Sequence, residues 1–214
     1  MILIADEAEL TNAAGHLARH DAVLKTLIAR HGLADLRPHT RYYQELVDSI
    51  ISQQLSVKAA DAIERRFRGL FGGEFPTAGQ ILSTDVETLR SIGLSRPKAR
   101  YILDLAQHIA GGQLVFDDLD SLSNDAIIGK LTAVKGIGEW TAHMFLMFCM
   151  ARLDILATGD LGIRNSIRKL YGFEQLPTPA EITELAARYN WHPYESVACW
   201  YIWRSLDNLP AVTA

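Results

Sequence analysis

The most constraining feature of this chain is its punctuation. Helix-start and helix-stop signals recur along its length, and no stretch between them alternates apolar and polar residues long enough to make a strand. Thr178-Pro179-Ala180-Glu181 is a capping box with proline at the first helical position. Thr84-Asp85-Val86-Glu87 reads as a second, with Gly93 closing its helix. Ser95 opens a helix that runs into the paired glycines Gly111 and Gly112. Thr40 begins a segment whose Leu46, Val47, Ile50 and Ile51 fall on one helical face. Ser56 can cap the next, where Ala59, Ala60, Ile63, Phe67 and Leu70 share a stripe. The pattern predicts an all-α protein of roughly ten short helices.

A chain of 214 residues, 49% apolar, can bury one deep core or two small lobes. The opening MILIADEAEL turns acidic after its first apolar residues and lacks a basic start, so it does not read as a signal peptide. The most apolar run, Met144 to Met150, is too short to span a bilayer and reads as a buried helix. The expectation is a cytoplasmic protein with no membrane partner. Cys149 and Cys199 sit in apolar, aromatic surroundings without partner spacing and read as reduced core thiols. The net charge of −4 argues against gripping nucleic acid through a global basic field. Charge is uneven, however, with basic clusters at Lys58 to Arg68, at Arg90, Arg96, Lys98 and Arg100, and at Arg164 to Lys169. Each alone reads as a solvated helix face, yet phosphates can still be met locally by backbone amides and helix N-termini.

Lys135-Gly136-Ile137-Gly138 separates a segment ending Leu131-Thr132-Ala133-Val134 from one beginning Trp140-Thr141-Ala142. Its glycines permit positive φ and leave the backbone bare to a phosphate, while Ile137 can plug the angle between two helices. Alone, this could be a tight turn between packed helices. The whole pattern resembles the helix–hairpin–helix, a reader of DNA backbone. Downstream comes Ala157-Thr158-Gly159-Asp160-Leu161-Gly162-Ile163-Arg164, in which Asp160 taken alone is a helix N-cap. A hairpin followed by a glycine-containing loop and a single Asp at a helix entrance resembles the helix–hairpin–helix/Gly-Pro-Asp superfamily of DNA glycosylases. The usual loop proline is replaced here by Ala157-Thr158-Gly159. Ile50 to Ala60, containing Gln53-Gln54-Leu55-Ser56, is similar to the minor-groove segment of the alkylbase branch. Trp191-His192-Pro193-Tyr194-Glu195-Ser196-Val197-Ala198, with Trp203 beyond, is similar to a C-terminal segment of the same branch. The resemblance is to the 3-methyladenine DNA glycosylase II type and covers about residues 40 to 205.

That resemblance implies two helical lobes with Asp160 at the cleft between them. A six-helix, barrel-like lobe would span 41–154 and carry the hairpin at about 127–148; a second lobe would combine 1–40 with 155–214. The β-rich N-terminal domain of longer members is not expected within these residues. The resemblance also assigns roles. Asp160 is the catalytic carboxylate, and Trp140, Tyr194 and Trp191, with Met144 and Leu161, form the base pocket. Lys135, Gly136, Ile137 and Gly138 meet DNA, as do Gln53, Gln54, Leu55, Ser56 and Lys98, with Gln54 or Leu55 as the wedge that fills the vacated stack. The carbonyls of Thr132, Val134 and Ile137 hold Na⁺ or K⁺. Bifunctional members carry a lysine two residues after the second hairpin glycine; here that position is Trp140, so no Schiff base can form. Two cysteines cannot build the four-cysteine iron–sulfur motif of other branches, and no other cofactor is required.

Ordinary glycoside hydrolysis uses two carboxylates, and only Asp160 presents itself. A single carboxylate suits a base that is already cationic, since it departs neutral without a general acid. The protein then has to hold the base outside the stack and stabilise an oxocarbenium-like sugar. Aromatic faces suit such a base, attracting cations by about 0.5–2 kcal/mol. The expected function is a monomeric, monofunctional DNA N-glycosylase that removes purines of the 3-methyladenine and 7-methylguanine type from duplex DNA. One alternative is a glycosylase for a neutral base such as uracil or hypoxanthine, using His143 and Gln53. The other is a non-catalytic helix–hairpin–helix binding module, which leaves Asp160 and the pocket aromatics unexplained.

Overall fold

The computed structural model describes residues 3–206. The chain divides into two compact units: one is Thr40–Phe145, and the other takes the chain on either side, up to His39 and from Leu146. The expected boundary at 154 is therefore too late. Residues 146–154 pair with the N-terminal stretch, as in the Ala5 N–H to Ala151 carbonyl bond at 2.8 Å and the isolated bridge between Ile4 and Arg152. No strand forms among the described residues.

The first helices of the outer unit are α1 (Glu7–His20) and α2 (Ala22–His31). The inner unit holds α3 (Tyr42–Ser52), α4 (Val57–Leu70), α5 (Ala78–Leu82), α6 (Val86–Ser91), α7 (Arg96–Ala110), α8 (Asn124–Thr132) and α9 (Glu139–Met144). That is seven α-helices among the described residues rather than six. A π-helical turn, Phe145–Cys149, continues α9. The outer unit resumes with α10 (Leu161–Tyr171), α11 (Pro179–Arg188) and α12 (Glu195–Arg204).

The start signals mostly act as read. Ser56, Ser95 and Thr178 accept the amides of Ala59, Lys98 and Glu181. Two differ. Asp85 rather than Thr84 caps α6, since its carboxylate reaches the Thr88 amide; Arg41 rather than Thr40 stands at the head of α3, with no side-chain cap. In the inner unit α7 packs on α3, α5 and α6, burying Ala99, Ile102, Leu105 and Ala106. In the outer unit α12 packs on α1, α2 and α10, and Ser196 through Trp203 are all buried. A helix apolar all round belongs inside a core, and α12 is the axis of its unit.

Candidate functional site

In the inner unit α8 and α9 flank the hairpin. The turn closes through the Ile137 amide on the Val134 carbonyl at 3.1 Å, and Ile137 is 4% exposed, the plug its position predicted. Gly136 has φ 89° and lies against Tyr101, so that a Cβ there would come within 2.2 Å of the ring. Gly138 is the N-cap of α9 in extended backbone, and a Cβ there would meet nothing within 4 Å. The first glycine is demanded by sterics, and the second simply leaves the backbone open. Lys135 is anchored to α7: its amide reaches Asp104 Oδ2 at 2.9 Å and its ammonium reaches Oδ1 at 3.0 Å, while the side chain stays 77% exposed. Burial pushes the Asp104 carboxyl up, but the two Lys135 bonds, the Lys135 charge and His108 outweigh it and hold it below its ordinary value.

The Gln53-Gln54-Leu55-Ser56 turn joins α3 to α4. Gln54, Leu55 and Ser56 are exposed, and Gln54 is left-handed at φ 58°. Gln53 instead points inward, its amide donating to the Gly136 carbonyl at 2.8 Å, which ties the turn to the hairpin. Lys98, expected on DNA, is spent inside the protein. Its ammonium donates to the carbonyls of Ile51 and Gln53 at 2.7 and 2.6 Å, at the end of α3 where helix carbonyls lack intrahelical donors.

Trp140 is 52% exposed on the first turn of α9, which excludes a core role, and Met144 lies on the same face four residues on. His143, half-buried, is held below its ordinary pKa by burial, against the opposing pull of Glu139.

In the outer unit Asp160 caps α10. Its Oδ1 accepts the Ile163 amide at 2.7 Å and the Trp203 indole N–H at 2.8 Å. Trp203 stacks on Phe148 at 5.6 Å between ring centroids. Gly162 makes room for this bond, because a Cβ there would lie 3.0 Å from Asp160 Oδ1 and 3.2 Å from the indole nitrogen. The loop before Asp160 is fixed to α12 as well: the Ile155 amide donates to Ser196 Oγ at 3.0 Å and the Ser196 amide to the Leu153 carbonyl at 2.9 Å. Ser196 and Trp203 are seven residues apart, hence on one face of α12. Leu161, next to Asp160, is 60% exposed.

One pocket expectation changes. Trp191 is fully buried and its indole donates to Asp21 Oδ2 at 2.9 Å, beside the Tyr171 hydroxyl at 2.7 Å. Asp21 also caps α2 through the amides of Val23 and Leu24. A buried carboxylate needs this many donors, so Trp191 is a core residue that cannot line a pocket. Tyr194 is turned toward α1, its hydroxyl 3.4 Å from Glu9 and its ring edge-on to His16. Sequence reasoning missed the indole bond of Trp203, the clearance at Gly162 and the Asp104 anchor. The Asp160-x-Gly162 spacing was the available signal for the second. Cys199 is buried, its thiol pushed up to about 12, which makes it inert.

Residues 47–190 match the family described as HhH-GPD superfamily base excision DNA repair protein. A curated relative, DNA-3-methyladenine glycosylase 1 of Schizosaccharomyces pombe, is 34% identical over 92% of this chain and 87% of its own length. Among solved structures, a Schizosaccharomyces pombe 3-methyladenine DNA glycosylase in complex with abasic DNA aligns with TM-score 0.78 at 33% identity, covering 92% of this chain and 97% of that one. A Bacillus halodurans DNA-3-methyladenine glycosidase aligns with TM-score 0.82 at 36% identity, covering 96% and 92%. The chain belongs to the HhH-GPD superfamily of base excision DNA repair proteins.

Proposed function

We propose that this protein is a monofunctional DNA N-glycosylase that excises alkylated purines such as 3-methyladenine and 7-methylguanine. The observation that carries the reading is Asp160, a carboxylate fixed by two donors on one oxygen at the entrance to α10. The family membership and the names of the relatives support the substrate class. A purine alkylated at N3 or N7 carries positive charge and leaves as a neutral base. The protein therefore has to supply negative charge beside the deoxyribose as the glycosidic bond lengthens, and a preorganised carboxylate does this without reorganising in the transition state. The exposed face of Trp140, with Met144, offers a polarisable surface to a flipped cationic base. Because indole stands where an amine would attack, the abasic strand is left intact.

Membership of the superfamily is what supports a monovalent cation at the hairpin carbonyls. Thr132 ends α8, where peptide dipoles leave partial negative charge, and the Val134 carbonyl accepts the Ile137 amide in the turn that follows. Thr132, Val134 and Ile137 would hold Na⁺ or K⁺, which would neutralise an adjacent DNA phosphate.

The test is incubation with N-methylated duplex DNA, with freed bases separated by chromatography and nicks scored before and after alkali. The expected result is methylpurine release with nicks only after alkali, and with Asp160→Asn no release while DNA binding persists. Nicks without alkali would remove the monofunctional assignment. Retained turnover in Asp160→Asn would remove Asp160 from its role.

A further inference from the structure

One face of α7 touches both loops through which the inner unit would meet DNA. Lys98, Tyr101 and Asp104 follow one another at three-residue spacing and so lie along one side of that helix. Lys98 fastens the end of α3 and the start of the turn through the carbonyls of Ile51 and Gln53. Tyr101 lies directly under Gly136. Asp104 takes both the backbone amide and the ammonium of Lys135. Gln53 closes the circuit with its bond to the Gly136 carbonyl. The turn and the hairpin are thus joined to each other and each fixed to the same helix face. At the free end of this brace stands Gln54, in a left-handed conformation that a non-glycine side chain keeps only when its surroundings enforce it.

Extruding a base means pushing a side chain into the stack while the backbone is held. If the pushing turn and the gripping hairpin moved independently, the push would displace the turn rather than the base. We propose that the Lys98–Tyr101–Asp104 face of α7 is a positioning device that fixes the Gln54–Leu55 tip relative to the hairpin, so that Lys98 and Gln53 govern extrusion. The inference rests on the glycosylase reading above. It differs from a merely structural role in one respect: the brace matters where a base must be taken from a pair, and little where the base is already unpaired.

The experiment compares single-turnover release of 7-methylguanine from a fully paired duplex with release of the same lesion from a one-nucleotide bulge. Wild type, Lys98→Met and Gln53→Met are assayed, with the melting temperature of each protein recorded. Gln53→Met lies in the turn itself and keeps the test available should Lys98→Met fold poorly. Release from the paired duplex should fall by about tenfold for Gln53→Met, which loses one neutral bond, and by at least as much for Lys98→Met, which loses two charge-assisted ones, while release from the bulge falls several-fold less. Equal losses on both substrates, or none on the paired one, would overturn the brace and leave the glycosylase reading standing. No release by the wild type from either substrate would overturn that reading, and the inference with it.

Discussion

Asp160 was legible in the sequence both as a helix cap and as a carboxylate at family spacing, and the structure gives its Oδ1 two donors at once, the Ile163 amide and the Trp203 indole. The indole bond fixes the direction in which the carboxylate faces, so removing it should loosen a charge that is otherwise preorganised. Trp203→Phe keeps a ring against Phe148 and deletes the donor. Single-turnover release of methylpurine should then fall about tenfold while DNA binding is retained. Unchanged release would show that the bond does not position the carboxylate. Trp140 and Trp191 show why residue identity alone does not assign a pocket. Both are tryptophans beside family motifs, yet one is 52% exposed and the other fully buried on Asp21. Trp140→Ala should lower turnover of methylated purines by roughly 3- to 30-fold, the span of a cation–π contact, with little change in melting temperature. A collapse in thermal stability would instead make Trp140 a packing residue.

At the level of elements, the hairpin was the most readable part of the chain, but its two glycines are not equivalent. Gly136 combines φ 89° with a tyrosine ring in the space of any Cβ, whereas Gly138 is extended and open. Gly136→Ala should destabilise the protein by about 2–4 kcal/mol, through left-handed strain and overpacking, and weaken DNA binding. Gly138→Ala should change stability by less than about 1 kcal/mol, as expected of an open site with allowed dihedrals. Comparing the two in chemical denaturation checks the assignment, and equal effects would refute it. Caps were readable to within a residue. Thr84 and Asp85 are both good cap residues, and only the docking of α6 decides which one meets the Thr88 amide. The bonds of Lys98 and Asp104 were not readable at all, since they join residues tens of positions apart.

For the whole molecule, the net charge of −4 and the pairing of its basic residues point the same way. Arg68 is paired with Glu64, Arg90 and Arg96 both meet Glu87, Lys135 meets Asp104, and Lys98 is spent on carbonyls. With 25 Asp and Glu against 21 Lys and Arg, no net basic field draws the duplex in, so the slope of log Kd against log salt on undamaged duplex should be shallow, corresponding to fewer than about six phosphates. A steep slope would mean that these pairs break on binding. Taken by itself, the sequence determined the helical class, most of the helix starts, the hairpin and the single carboxylate. These depend on local periodicity, capping and φ preferences, which neighbouring residues in the chain decide among themselves. Only the tertiary structure decided that Trp203 bonds Asp160, that Trp191 is core, that Lys98 is a strut and that residues 146–154 belong with the N-terminal helices. Those outcomes turn on which side chains burial brings together across the chain, where the need to satisfy every buried polar group selects one set of partners from many that the sequence allows.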